Sequence, residues 1–317
     1  MSGHLFVVQG DIKQIACDAW ALPTDRFGNV TADFADVVGL HGLGRVPDVP
    51  ADPDWTVIPY PGEGAQDDRV WLLNAGADKE TPASWYAERG VAFVAKVAKE
   101  LPSRRMSGRH EPGRFKRALP IVALNVLGTG KGGHSSIKGG IYEALIPELA
   151  DAAEANECDV ILVTWGRRAY AAAQRVRLRM LGDESHGMGE QWAPLGPGLA
   201  STAEELAGQV QRGNLVLFFG AGISAGAGLP GWQELLRQLA HGDGLDIEQT
   251  KRLEELDLRD QAAILERLTG VSLGRRVADL MSGSRYSLGH GILASLHVKE
   301  AVTTNYDQLF ETAPVNL

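Results

Sequence analysis

The stretch from 215 to 232, LVLFFGAGISAGAGLPGW, limits this chain more than any other, because it joins an uninterrupted apolar run to a glycine loop and then to a helical pattern. Five apolar residues in succession (215–219) suit a strand buried on both faces of a parallel sheet, where the alternation of a half-exposed strand disappears. Gly220, Gly222, Gly226 and Gly228 then allow a sharp turn and, lacking Cβ atoms, let an anionic group approach main-chain N–H groups. A dinucleotide pyrophosphate is the expected guest. A tight strand-to-helix connection without a ligand is the alternative, and the G-x-G-x-x-A pattern of Gly220, Gly222 and Ala225 gains weight from the strand before it and the helix after it.

A chain of 317 residues can bury a sizeable core and is long enough for about two domains. Its net charge of -9 gives no electrostatic reason to bind nucleic acid or an acidic membrane surface, so neither is expected as a partner. Cys17 and Cys158, far apart and without a C-x-x-C, support neither a disulfide framework nor a thiolate zinc site. No metal is expected. The N-terminus lacks the charged and long apolar regions of a signal peptide, and no run approaches bilayer length, so a cytoplasmic protein is expected.

Short strands are expected at 5–8, 19–22 and 70–73, and buried ones at 119–126 and 159–164. Apolar spacing predicts helices over 85–101, 141–156 and 170–181. Residues 41–68, rich in Gly, Pro and Asp, read as irregular, and the basic 102–118 stretch as a solvated loop. The strand at 119–126 runs into Gly128-Thr129-Gly130-Lys131-Gly132-Gly133, a second glycine loop. Strand, loop, helix and strand in succession imply a parallel sheet with helices on its faces.

Gln9-Gly10-Asp11-Ile12, followed by Cys17-Asp18-Ala19, together with Val126-Leu127-Gly128-Thr129-Gly130 and Gly132-Gly133, resemble the two nucleotide loops of macro domains, over roughly residues 4–180. That resemblance implies a three-layer α/β/α domain binding an ADP-ribose-type nucleotide. Asp11 with Ile12 would take the adenine amine, and Gly128, Thr129, Gly130, Gly132 and Gly133 would wrap the diphosphate. The chemistry is apt, since a carboxylate accepts from an exocyclic amine and glycine N–H groups receive phosphate oxygens. Where macro domains that cleave ADP-ribose derivatives carry Asn-Ala-Ala-Asn, this chain has Leu22-Pro23-Thr24-Asp25, so binding is expected rather than hydrolysis. A glycine loop that is only a tight turn is again the alternative.

Residues 182–200 hold five glycines and two prolines without an apolar period, which places a linker at 183–200 between a domain of 1–182 and another of 201–317. A helix is expected over 201–211, with Ser201 as N-cap and Glu204 completing a capping box. After the opening loop, helices are expected over 231–239, 248–256, 259–268, 274–281 and 288–296, forming a small lobe before a strand at 299–304. That strand breaks into Asn305-Tyr306-Asp307, so both polar loops sit at the carboxyl ends of parallel strands, where ligands bind in open α/β sheets.

Gly220-Ala221-Gly222-Ile223-Ser224, Gly228-Leu229-Pro230-x-Trp232, His290-x-x-Leu293-Ala294-x-Leu296 and Thr303-Thr304-Asn305-Tyr306-Asp307 together resemble the SIR2 family, closest to its zinc-free microbial NAD-consuming branch in antiphage defence. The resemblance implies NAD as substrate, in a partial Rossmann-like domain. Gly220, Ala221, Gly222, Ser224, Pro230 and Thr304 would line NAD; Asn305 would position the ribose or the attacking water, and Asp307 would meet the nicotinamide carboxamide. His290 falls to a packing role. Asn305 and Asp307 serving only as turn or cap residues is the alternative.

In the family the catalytic histidine follows the Asn-Tyr-Asp loop, which leads to the expectation that the 317 residues are part of a longer protein or are completed by a partner, and are inactive alone. Only two strands are visible in the second half, so uncovered apolar faces are expected. The combined expectation is an NAD-hydrolysing effector regulated by a macro-like nucleotide-sensing domain, and a homo-oligomer. The alternatives are a non-catalytic sensor or regulatory subunit for ADP-ribose or NAD derivatives and, more remotely, an NAD-dependent protein deacylase.

Overall fold

The computed structural model describes residues 2–39, 44–46, 49–52, 54–60, 67–76, 81–106, 118–128, 138–181, 196–281 and 285–313. It is an α/β protein whose contacts divide it into two units, 1–208 with the last two residues, and 209–315.

The first unit is built on a six-stranded sheet of β1 (Leu5–Gln9), β2 (Ala19–Thr24), β5 (Val57–Pro59), β6 (Val70–Asn74), β7 (Ile121–Asn125) and β8 (Asp159–Thr164), ordered β1-β8-β7-β2-β6-β5. All pairs are parallel except the edge pair of β5 with β6. The expected strands form, the parallel crossovers from β6 to β7 and from β7 to β8 carry α2 (Ala83–Met106) and α3 (Lys138–Ala155), and α4 (Gly166–Leu181) follows β8. The helices pack on one face of the sheet, in a cluster that includes Val7, Ala21, Leu73, Leu124, Leu162, Phe93, Leu145, Leu149 and Val176. Trp20, Leu22, Leu72, Ala123 and Ile161, pointing to the other face, are also fully buried. There Trp20 packs on Phe34 of α1 (Ala32–Ala35), with ring centroids 6.1 Å apart.

The 41–68 region is more ordered than its composition suggests. Besides β5, a short antiparallel pair joins β3 (Asn29–Val30) to β4 (Gly44–Arg45). Gly, Pro and Asp weaken the propensity signal, but an edge strand needs only one partner, and β6 supplies it. The basic stretch begins inside α2, and 107–117 lie outside the described residues. Cys17 and Cys158 are buried thiols that form no disulfide, and burial, aided by the Asp159 carboxylate, pushes the Cys158 thiol up to about 12. Among the described residues no helix is long and apolar enough to cross a membrane.

Helix α5 runs from Gly196 to Arg212, so the expected start at Ser201 is wrong by a turn and Ser201 lies inside the helix. Pro197 is the reason: proline is well accommodated in a first helical turn, where its missing N–H would have no partner. Thr202 Oγ1 donates to the Gly198 carbonyl at 3.0 Å, a bond that belongs within a helix.

In the second unit β9 (Val216–Phe219) pairs in parallel with β10 (Glu300–Thr303), in a register that sets Phe219 beside Thr303. Between them come the short α6 (Gly222–Ala225), the lobe α7 (Trp232–Gly242), α8 (Ile247–Glu254), α9 (Leu258–Thr269) and α10 (Leu273–Met281), and then α11 (Leu288–Ser295); α12 (Leu309–Thr312) follows β10. The lobe closes on Leu235, Leu236, Leu239, Ala240, Leu253, Leu265 and Val277. Arg276 of α10 pairs with Asp243 and reaches the carbonyls of Leu239 and Leu265, so one guanidinium ties three helices.

The expectation that β9 is buried on both faces fails: its exposure alternates, with Val216 51% and Phe218 73% exposed. Across the ladder Val302 is 47% exposed. An apolar run specifies what a strand can bury, but burial itself is supplied by neighbouring layers, and among the described residues no residue of this pair is buried. The expectation of uncovered apolar faces in the second half therefore holds.

Candidate functional site

The parallel pairing of β9 and β10 brings their carboxyl ends side by side, and the ladder continues one residue further as Thr304 N–H donates to the Phe219 carbonyl at 3.3 Å. Gly220 sits at this junction. A Cβ there would stand 3.3 Å from Thr304 Oγ1, so the close approach of the two strand ends favours glycine. Of the four loop glycines only Gly228 has a left-handed backbone, at φ +83°. Gly220, Gly222 and Gly226 are thus not needed for the turn itself, in contrast to the sequence expectation. Gly226 faces Ser287, whose Cβ would lie 3.1 Å from an added Cβ, while around Gly222 no atom lies within 4 Å of one.

Across this junction the polar side chains converge on one hydroxyl. Ser224, 2% exposed in α6, donates to Asp307 Oδ2 at 2.8 Å and accepts from Asn305 Nδ2 at 3.0 Å. The two partners are themselves fixed: Asn305 N–H donates to Thr303 Oγ1 at 3.0 Å, and Asp307 Oδ1 accepts from Leu309 N–H at 3.1 Å. With its nitrogen committed to Ser224, Asn305 leaves Oδ1 as a buried carbonyl oxygen that has no partner among the described residues. A buried acceptor of this kind calls for a donor, a hydroxyl or a water. Tyr306, between the two, turns out to solvent at 66% exposure and stacks on Trp232, with centroids 5.8 Å apart.

His290 was not expected at this site. Its ring is fully buried, with Nε2 3.5 Å from Ser224 Oγ, while Nδ1 accepts from Ser287 N–H at 3.1 Å and lies 2.8 Å from Ser287 Oγ. Burial lowers its pKa, the Asp307 carboxylate acting in the opposite direction. The ring is therefore neutral at neutral pH. This constellation is not a nucleophile–base–orienter triad, because the carboxylate receives the serine hydroxyl directly and the far side of the imidazole meets Ser287 rather than an acid.

Of the residues expected to line NAD, Ala221, Gly222 and Thr304 are exposed, Gly220 and Pro230 are half-buried, and Ser224 is buried with its hydroxyl engaged by side chains. Open space at Gly222 gives a direct test. Gly222→Ala adds a methyl that no protein atom opposes, so the melting temperature should be unchanged, whereas a phosphate approaching that backbone would be blocked and KM for NAD should rise about tenfold. An unchanged KM would remove Gly222 from the nucleotide contact.

In the first unit Asp11 caps the 3₁₀ turn Ile12–Gln14, accepting from Lys13 N–H at 3.0 Å. Ile12 is buried as a whole residue, at 1% exposure, so its surface is not open to a ligand. Gly128 has φ +71°, and a Cβ there would come within 2.6 Å of the Tyr86 ring, which accounts for glycine without a ligand. Thr129, Gly130, Gly132 and Gly133 lie outside the described residues. Sequence reasoning missed the floor between these loops. Five strands end in polar residues, in sheet order Gln9, Thr164, Asn125, Thr24 and Asn74. Asn125 Nδ2 donates to the Val163 carbonyl at 3.1 Å, leaving a buried Oδ1 with no partner among the described residues. Among the described residues no group of three or more His, Cys, Asp or Glu could hold a metal ion.

No protein-family model matches the chain. Among curated proteins, it is 37% identical over 106 residues to an NAD(+) hydrolase ThsA of Acinetobacter baumannii (strain 532279), a match covering 33% of this chain and 21% of that protein. An NAD(+) hydrolase ThsA of Enterococcus faecium matches at the same identity over 106 residues, 32% of this chain and 21% of the relative. The NAD(+) hydrolase ThsA of Cytobacillus dafuensis matches at 37% over 100 residues, 31% and 19% of the two chains. The chain thus spans about a fifth of the length of the curated relatives it matches.

Proposed function

We propose that the protein consumes NAD by hydrolysis, that Ser224, Asn305 and Asp307 form the nicotinamide side of its pocket, and that the first unit is a macro-like domain that binds an ADP-ribose-type nucleotide and regulates the second, in antiphage defence. The observation that carries the reading is the Ser224-centred network at the carboxyl ends of two parallel strands, with the Asn305 carbonyl oxygen left as a buried acceptor that has no partner among the described residues. Similarity to three NAD(+) hydrolases supports the choice of substrate.

In the reaction the bond between nicotinamide and ribose C1′ breaks, and nicotinamide leaves neutral with the bonding pair. Water oxygen joins C1′, and its proton passes to solvent. Positive charge develops on the ribose, and fixed dipoles with a nearby carboxylate favour that state without reorganising. Asn305 Oδ1 is suited to hold a ribose hydroxyl or the attacking water. Asp307, anchored at both oxygens, is suited to accept from the nicotinamide carboxamide. In the first unit, Asp11 and the polar strand ends around Asn125 are suited to the adenine and ribose of a nucleotide.

Nicotinamide release from NAD by the full-length protein tests the enzyme. Calorimetry tests the sensor: ADP-ribose should bind, and Asp11→Ala should weaken it about tenfold by removing one charge-assisted acceptor. Binding without turnover would assign a non-catalytic sensor, and neither binding nor turnover would reject both roles.

A further inference from the structure

We infer that His290 is a positioning residue for the NAD reaction, holding the Ser224 hydroxyl in the one orientation that presents the Asn305 carboxamide oxygen to substrate. The inference rests on the NAD-hydrolase reading above and extends it to a residue that touches no substrate.

The argument is one of hydrogen-bond valence. A serine hydroxyl has one proton and two lone pairs. Ser224 gives its proton to Asp307 and fills one lone pair from Asn305 Nδ2. The remaining lone pair faces His290 Nε2 at 3.5 Å. Which ring nitrogen carries the proton is set on the other side of the imidazole. There the Ser287 backbone N–H, which can only donate, points at Nδ1 from 3.1 Å, and the Ser287 hydroxyl lies 2.8 Å from the same nitrogen, so the tautomer that lets Nδ1 accept from both leaves Nε2 as the donor. His290 thus completes the valence of Ser224, and the hydroxyl proton has only Asp307 to go to.

The imidazole is itself held in place. Ser287 and His290 form a reciprocal cap at the start of α11, with a histidine where such caps usually carry Glu or Gln. Ser287 Oγ also lies 3.0 Å from the carbonyl of Ile223, the residue before Ser224, so its one proton is shared between that oxygen and Nδ1. Both side chains of the cap therefore grip α6, one by its backbone and one by its hydroxyl. If the Nε2–H were absent, Ser224 could turn its proton toward another acceptor, and the Asn305 carboxamide would lose the contact that decides which of its ends stays unpaired.

Two substitutions separate positioning from capping. His290→Asn keeps an acceptor where Nδ1 stands and so keeps the cap, but has no donor that reaches Ser224. His290→Gln keeps the cap in its usual chemistry and also carries an amide N–H at the far end. In the full-length protein, His290→Asn is expected to melt within about 3 °C of wild type and to bind NAD by calorimetry with little change, yet to lose about tenfold in kcat with KM altered less than about threefold. His290→Gln should recover most of that loss. Equal kcat in the two variants, or a higher one in His290→Asn, would mean that the histidine only caps α11 and would overturn the inference.

If His290→Asn does not fold, the same question is put with His290→Gln and Ser224→Ala. Positioning through Ser224 requires that the glutamine change have no further effect on kcat once Ser224 is alanine, and additive losses would overturn it. A wild-type protein that releases no nicotinamide would defeat the NAD reading and this inference with it, whereas an active wild type with a fully active His290→Asn variant would defeat this inference alone.

Discussion

Replacing Asn305 by alanine is expected to slow nicotinamide release from the full-length protein by a factor of about 10² to 10³, the usual cost of removing one pre-arranged polar group from a charge-developing site. Stability should hardly change. Asn305 is half-buried in the loop after β10, and among the described residues its side chain hydrogen-bonds to Ser224, so its loss frees a serine lone pair that water can fill. What disappears is the open carbonyl oxygen, the one acceptor of the network with no partner among the described residues. The companion change Asn305→Asp retains an oxygen but no donor. Two carboxylates would then compete for the single proton of Ser224, and one of them would have to turn away or take up a proton. Both variants should therefore fail mainly in kcat, with the alanine protein still binding NAD. Full turnover by Asn305→Ala would reject the assignment of the site, whatever the state of the first unit.

Much of this site is legible in the sequence because its parts are local. The glycine loop, the Asn-Tyr-Asp loop and the helices between them follow from runs of apolar residues at helical spacing and from turn-forming residues. The helices expected over 259–268 and 274–281 lie within two residues of α9 and α10. The convergence of Ser224 on Asn305 and Asp307, more than 80 positions apart, was accessible only as a rule about parallel strands; the pairing of Phe219 with Thr303 gives it distances. His290 was lost for a different reason. Its spacing with Leu293, Ala294 and Leu296 fits a packed helix face, and burial is indeed complete, but periodicity says nothing about which way a ring nitrogen points. Ser287, three residues earlier, was the available signal, since a serine at that offset from a side-chain acceptor is the signature of a helix cap. Burial of β9 was misjudged because it depends on packing layers that the apolar run itself does not specify.

Charge within the first unit was the least legible of all, and it carries the second large effect. Asp67 lies at the end of the 41–68 stretch read as irregular and Arg69 just beyond it, yet Arg69 is 3% exposed and forms a two-pronged pair with Asp67, Nε to Oδ1 at 2.7 Å and Nη2 to Oδ2 at 2.6 Å. Its third arm, Nη1, donates to the Ile15 carbonyl at 2.9 Å. Asp67 in turn accepts the Trp20 indole N–H at 3.1 Å, and the backbone carbonyl of Arg69 receives the Trp20 backbone N–H at 2.9 Å. The pair thus fastens the approach to β6 to the start of β2 and to the turn before it. Arg69→Ala would leave the Asp67 carboxylate buried without its counter-charge and the Ile15 carbonyl without a donor. Removing one partner of such a pair costs about 3–5 kcal/mol. In a unit of this size the melting temperature should fall by roughly 10 °C or more. The double change Arg69→Met with Asp67→Leu removes both charges together and should recover a large part of that loss, because the cost of the single change lies in the stranded carboxylate rather than in the absence of attraction. Thermal unfolding of the three proteins measures this directly. An Arg69→Ala protein that melts with wild type would show that solvent reaches the pair, and a double variant no better than the single one would place the energy in the contacts to Ile15 and Trp20 instead.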